Sequence, residues 1–309
     1  MKRSLIALAV LGVAGVAHAQ SSVTLYGTVD VVVHKDKDQA TKLTSGGLSA
    51  SHLGFKGTED LGGGLSAVFK LEGGLAVDTG TPDALKFNRE SYVGLASGFG
   101  EIRFGKSWTA YDDILYSTSP AFGSVFSSTD IWRAFQLYNS NPNNGIKYLS
   151  PTFGGVSGAL TANLREGGTA RTSSFSVKYE GGPVYAGFAY QVDKEGSAET
   201  KFTIVNGSYD LGVAKLMAAV ARVSVGGGTD TDEMTLGADF PLGSALTLSA
   251  GVASSKPDGD ETARSANLGF SYALSKRTTA YGGVRKDNDA ATAAGGVDTR
   301  YGIGIRHTF

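Results

Sequence analysis

Cysteine is absent from the 309 residues, so neither disulfides nor thiolate metal sites can support the fold. Proline is scarce, at 7 against 44 glycines. That balance suits strands and tight turns, not a disordered linker. Past the first residues no apolar run reaches the ~18 residues a membrane-spanning helix needs. Charge bias is missing too: beyond Lys2 and Arg3, 26 basic residues stand against 29 acidic ones. The electrostatic case for a nucleic-acid partner therefore fails. Histidine is sparse, with His18, His34, His52 and His307, and nothing places one beside a serine as a hydrolytic site requires.

What is present begins with a targeting pattern. Lys2 and Arg3 precede an apolar core, Leu5 to Val16, and Ala17-His18-Ala19 makes a small-residue cleavage site before Gln20. Residues 1–19 are expected to be a cleaved signal peptide, and residues 20–309 a single domain. An exported chain of this size without cross-links must rely on an extensive hydrogen-bonded architecture.

That architecture reads as strands of period two. Val23, Leu25, Val29, Val31 and Val33 alternate with Thr24, Tyr26, Thr28 and Asp30. Phe175, Val177 and Tyr179 alternate with Ser174, Ser176 and Lys178; Tyr301, Ile303 and Ile305 alternate with Gly302, Gly304 and Arg306. Seven short turns (Thr58–Gly64 is the first) and eight mostly longer, polar connections would join sixteen strands. An even count with short turns at one end and longer loops at the other is the layout of a bacterial transmembrane barrel.

Geometry supports that class over a soluble β protein. A strand of ~10 residues at ~3.4 Å each is ~34 Å long. Tilted ~45°, it spans ~24 Å, close to the apolar band of an outer-membrane barrel. Sixteen strands enclose a bore too wide for side chains to fill. The polar face must then meet water inside and the apolar face lipid outside. Tyr92, Tyr148, Tyr179, Tyr190, Tyr209, Tyr272, Tyr281, Tyr301 and Phe309 are the expected interfacial aromatics. The expected fold is thus all-β: a 16-stranded antiparallel transmembrane β-barrel. Residues 107–145 are the exception, a 39-residue run without alternation. Loops of that length are usually functional, and this one is expected to fold into the lumen as a constriction.

Several blocks are familiar together: SSVTLYGTVD, SHLGFKGTEDLGGGLSAVFKLEGG, NRESYVGLASGFGEIRFGKSW, NGIKYLSPTFGG, SYDLGVAKL, YALSKRT and the terminal YGIGIRHTF. In this order, over residues 20–309, they resemble the general porins of beta-proteobacteria. The resemblance implies an outer-membrane homotrimer of sixteen-stranded barrels, each constricted by its third long loop and passing small hydrophilic solutes and ions. It also implies that Phe309 is read by the barrel-assembly machinery. In the family the positions matching His52, Arg89 and Lys147 usually carry three arginines that favour anions; only Arg89 is kept here. Lysine preserves the sign without arginine's fork, and histidine is a side chain that carries charge chiefly in acid. A weak anion preference, stronger in mild acid, is expected.

Strand parity points Lys70, Glu72, Arg103 and Lys147 into the lumen. Arg89 joins them only if Tyr92, Gly94 and Ala96 face outward. With those three outward, Gly94 and Ala96 would also let barrels pack closely. The expected neck consists of a basic wall, Arg89 and Lys147, opposite Asp112, Asp113 and Glu72. Asp130, Arg103 and His52 complete the candidates. A competing possibility for each charge is that it merely keeps the wall wet. No cofactor or metal is expected, although Asp112 and Asp113 together could attract Ca²⁺.

Two motifs are decoys. Gly100 to Ser107 fits G-x-x-x-x-G-K-S, but a phosphate loop must open a helix, and this stretch alternates like a strand. Asn206-Gly207-Ser208 fits a glycosylation acceptor but falls inside an expected strand. Two rival functions remain: an adhesive barrel that binds a partner through its surface loops, and a barrel-borne hydrolase. Six of the eight outer loops are short and polar, which disfavours the adhesin.

Overall fold

The computed structural model describes residues 22–80 and 86–309. The proposed signal peptide lies outside the described residues, as do 81–85 of the second long loop. The strands are β1 (Ser22–Asp36), β2 (Lys42–Ser45), β3 (His52–Gly62), β4 (Leu65–Gly74), β5 (Glu90–Ser97) and β6 (Gly100–Lys106). They continue as β7 (Gly145–Leu149), β8 (Val156–Asn163), β9 (Arg171–Gly181), β10 (Val184–Glu195), β11 (Ala198–Asp210) and β12 (Lys215–Val225). Then follow β13 (Thr231–Leu242), β14 (Leu246–Pro257), β15 (Ala263–Ala273), β16 (Thr278–Asp287) and β17 (Thr299–Thr308).

Each strand from β3 onward pairs antiparallel with the next, and β1 closes the ring against β17, from Thr28 opposite Thr308 to Asp36 opposite Arg300. The other edge of β1 is shared. Ser22–Thr28 pair with β3, whereas Val31–His34 pair with the short β2. β2 and β3 are thus one stave interrupted at residues 46–51, and the barrel has sixteen staves. Closure leaves no unpaired edge in hydrocarbon, the requirement for a sheet that crosses a bilayer.

Local chemistry explains the turns. Gly62, Gly63 and Gly64 take φ of 82°, 62° and 78° between β3 and β4, a left-handed run that side-chain-bearing residues avoid. β3 therefore runs to Gly62, further than the turn expected from Thr58. Along the strands one parity is open and apolar, as Leu25, Leu160, Val205, Leu236, Leu268 and Ile303 show. Buried polar residues, among them Asp30, Thr161, Ser174, Asn206 and Asn267, take the other parity. Leucine outside and serine or asparagine inside inverts a soluble core, and suits lipid outside with water within.

The principal apolar cluster lies inside the barrel. Tyr111, Ile114, Leu115 and Trp132 of the long loop pack on Phe202 and Ile204 of β11 and on Val223 of β12. β11 and β12 are apolar on both faces because one meets lipid and the other meets this loop.

Some aromatic assignments need correction. Tyr92 faces inward, where the Arg103 guanidinium lies 4.6 Å from its ring centre. Tyr281 is also internal, 1% exposed, and donates to Asp30 Oδ1 at 2.5 Å. Neither belongs to an interfacial girdle. Gly94 and Ala96 share the inward parity of Tyr92, while Val93 and Leu95 face out. They cannot mediate packing between barrels.

Candidate functional site in the lumen

The 107–144 connection forms four short helical turns, at Asp112–Leu115, Ala121–Gly123, Ser128–Ile131 and Arg133–Gln136. Its contacts show which side of the wall it follows. Ala110 N donates to Thr161 Oγ1 and Ser174 Oγ at 3.0 and 3.1 Å. Asn206 Nδ2 donates to the Ile114 carbonyl at 2.7 Å, Ala121 N to Ser249 Oγ at 2.8 Å, and Ser128 N to Asn267 Oδ1 at 3.1 Å. Ala134 N donates to Glu233 Oε2 at 3.1 Å. Every strand partner has an exposed apolar neighbour of opposite parity: Leu160, Phe175, Val205, Leu248, Leu268 and Met234. The loop therefore lines the inner wall from β8 to β16, its tip reaches Val32 of β1, and the wall of β3–β6 is left open.

A second segment meets its tip. The Asp30 carboxylate is fully buried and accepts from Gly47 N, Leu48 N and Ser49 N at 3.2, 3.0 and 2.7 Å. It thereby folds residues 46–51 inward, where Val125 N donates to the Gly47 carbonyl at 2.8 Å. Nothing in the alternation of β1 signals this, because the donors are backbone amides.

The open wall carries a charge cluster centred on Glu72, which is 3% exposed. Arg89 Nε donates to Glu72 Oε1 at 2.7 Å, Tyr26 Oη to Glu72 Oε2 at 2.8 Å, and Lys70 Nζ reaches Glu72 Oε2 at 3.1 Å. His52 Nε2 lies 3.8 Å from the same carboxylate. Lys70 also pairs with Glu90, and Arg103 Nε with Glu101 Oε1 at 2.6 Å. Lys56 lies 5.1 Å from the Tyr26 ring centre and makes no ion pair among the described residues. Four cations and three carboxylates thus share this wall, apart from His52.

The expected opposition of walls is not what forms. Arg89 is paired with Glu72 on its own side of the lumen. It gets there although Tyr92, Gly94 and Ala96 face inward, because it precedes β5 and escapes that strand's parity. Its guanidinium also lies 5.0 Å from the Trp108 ring centre. Lys147 is 1% exposed beneath the loop, where it donates to Asp113 Oδ1 at 2.7 Å and the Trp108 carbonyl at 3.0 Å. It pins the loop to β7 and does not front the water path. Of the family's three cationic positions, two converge on Glu72 and the third sits beneath the loop.

Asp112 accepts from Tyr138 Oη. Burial within the loop pushes its carboxyl up to about 6, with Asp113 beside it adding in the same direction. Burial also raises the Asp113 carboxyl, against the pull of Lys147. Nearly a third of that side chain stays open, at 31%, so lumen water offsets much of the burial. Asp130 pairs with Arg285, which lies 3.2 Å from Asp287. This pair anchors the loop on β16. Arg285, Asp287, Glu90 and the Arg300–Asp36 pair (2.6 Å) are lumen charges outside the set of candidates named from the sequence. Their inward parity was a usable signal. The G-x-x-x-x-G-K-S stretch is β6, and Asn206-Gly207-Ser208 lies within β11, as expected. Among the described residues no three His, Asp or Glu side chains gather as metal ligands do.

A closed sheet with lipid outside and a charged, loop-narrowed bore within defines a transmembrane channel. Comparison with known proteins places it further. Residues 4–292 match the Gram-negative porin family, and the chain belongs to that family. It is 37% identical to outer membrane porin protein 32 of Delftia acidovorans and 28% identical to a Bordetella pertussis outer membrane porin, each over the full length of both chains. Its fold superposes on the anion-selective porin from Comamonas acidovorans with a TM-score of 0.81 and 32% identity, covering 94% of this chain and 100% of that one. The chain is an outer-membrane porin, a β-barrel channel, and the proteins of its family are channels, not enzymes.

Proposed function

We propose that the protein is a passive, weakly anion-preferring diffusion channel for ions and small hydrophilic solutes, acting as a homotrimer without a catalytic step. The neck lies between the 107–145 loop and the wall of β3–β6. Arg89, Arg103, His52 and Glu72 line the wall side, and Asp112, Asp113 and Asp130 the loop side, with Lys147 holding the loop in place. The carrying observation is the pairing of the wall's cations. Arg89, Lys70 and Arg103 each meet a carboxylate and His52 lies 3.8 Å from one, which leaves Lys56 as the wall's unpaired cation among the described residues. A neck so balanced filters mainly by width, and only the small positive excess favours anions. The similarity to a porin described as anion-selective supports the sign. Trimerisation is what the family resemblance implies.

The test is the reversal potential across a planar bilayer under a salt gradient, measured between pH 8 and pH 5. Asp112 has its carboxyl raised to about 6. It is therefore anionic above that pH and gains a proton below it, making the neck more positive. The anion-to-cation permeability ratio should exceed one modestly at pH 8 and rise as pH falls through 6. A cation preference at pH 6 would defeat the reading.

A further inference from the structure

Among the described residues, large apolar side chains that stand open lie mostly on the lipid side of the strands or in the short turns. Tyr116 and Leu137 are the exceptions, 49% and 50% exposed on the loop inside the bore. Tyr116 closes the turn Asp112–Leu115, whose Ile114 and Leu115 are buried against the wall. Asp112 stands four residues before it and Asp113 three, the spacing that shares one helical face. Asp113 and Tyr116 are both open, so this face looks into the bore. The return limb of the loop brings Phe135 against Tyr116, with ring centres 4.7 Å apart, and Phe135 leans on Trp132 at 5.7 Å. The tyrosine ring is thereby held as a plate across both limbs.

Oxygen acceptors surround this plate. Gln136 Nε2 donates to the Asp130 carbonyl at 3.0 Å, and the exposed Gln136 amide keeps its oxygen toward water. Burial raises the Tyr116 hydroxyl, a hydrogen bond with Tyr138 opposes the rise, and the nearby charges of Asp112 and Asp130 add to it. Each carboxylate here already has a partner: Asp112 the Tyr138 hydroxyl, Asp113 Lys147, and Asp130 Arg285. Their charge is largely answered, while their remaining lone pairs are open to donors. An anion would meet carboxylates, an organic cation would find little unanswered charge, and a purely apolar solute would strip water from the rim. A pyranose meets none of these penalties. Its C–H face fits the electron-rich face of an aromatic ring, and its hydroxyls donate at the edge.

We propose that the lumen face of the loop holds a low-affinity site for neutral pyranoses, with the sugar ring on Tyr116 and hydroxyls on Asp112, Asp130 and Gln136. This site deepens the diffusion-channel reading on which it rests, by making the path saturable for one class of solute. It stays weak, because a channel passes only what can leave again.

The test is the ion current across a planar bilayer at pH 8, with glucose or the open-chain polyol sorbitol at equal concentration on both sides. Glucose should lower the parent's current along a saturating curve, beyond the linear fall that sorbitol causes through viscosity. Tyr116→Ala removes the plate and should raise the half-saturating glucose concentration about tenfold, the contribution of one stacked ring. Tyr116→Phe keeps the plate and should stay within about threefold of the parent, and Gln136→Ala, which removes one acceptor, should weaken binding about fivefold. Half-saturation is independent of the open current, so a bore merely widened by Tyr116→Ala is told apart from a lost site. Three results overturn the proposal: glucose acting as sorbitol does, Tyr116→Ala keeping the parental half-saturation, or the cationic ring of benzylamine blocking more tightly than glucose. A parent that carries no current would overturn the channel reading, and this site with it.

Discussion

Deleting Ala121–Ser128 should raise single-channel conductance by a factor on the order of two, because current through a water-filled pore follows its narrowest section. These residues fix the loop tip at three places: Ala121 on Ser249, Ser128 on Asn267 and Val125 on Gly47. Phe126 is fully buried beside Val32 and Tyr281. Without them the wall of β14–β16 is uncovered and residues 46–51 lose their contact, so the bore widens there. The ring of staves is hydrogen-bonded independently of the loop, which leaves the barrel able to form. Conductance equal to the parent's, from correctly folded protein, would mean that the tip does not narrow the water path.

The second large effect is expected from Glu72→Gln, which removes one negative charge from the cluster but keeps an oxygen to accept from Tyr26. Arg89 and Lys70 would then stand without their shared partner. Both remain partly open to lumen water, so they need not be desolvated as buried, unpaired charges would be. A unit charge ~6 Å from a passing ion in water contributes about 0.7 kcal/mol. That favours the anion about threefold and disfavours the cation equally, shifting the permeability ratio about tenfold. The shift should shrink as salt is raised, because screening shortens the reach of the charge. A reversal potential unchanged at low salt would remove Glu72 from any role in selectivity.

Much of the barrel is legible in the sequence because its chemistry is two-sided. Leu160 beside Thr161 and Leu268 beside Asn267 each declare an outside and an inside. Legibility fails where a strand offers large apolar or aromatic residues on both parities. In β5 Tyr92 competes with Val93 and Leu95 for the lipid face; the two aliphatic residues face out, and the tyrosine ring turns inward onto Arg103. Tyr281 is misleading for a related reason. Its ring lies against Gly304 of β17, where a side chain would collide with it. That space, with the hydroxyl bound to Asp30, draws the tyrosine inward.

The site was legible as a set of residues but less so as a pattern of pairs. Parity gives the direction of Lys70, Glu72 and Arg103, yet Lys147 shares that direction and ends up beneath the loop. Its burial follows from Asp113 and the Trp108 carbonyl, which reach it only once the loop has its path. The same holds for Asp30 and the three amides of residues 47–49. One signal in the sequence did foretell the course of the loop: β11 and β12 are apolar on both faces, at Phe202 and Ile204 as well as Val205. A strand wetted on one face would not be.

The most direct test exploits the absence of cysteine. Single substitutions Lys70→Cys, Glu72→Cys, Phe69→Cys and Leu71→Cys place one thiol at successive positions of β4, to be treated with a charged, water-soluble thiol reagent during single-channel recording. Current should change for positions 70 and 72 and stay constant for 69 and 71. The opposite pattern, or an equal response at all four, would contradict a barrel with solvent inside and lipid outside.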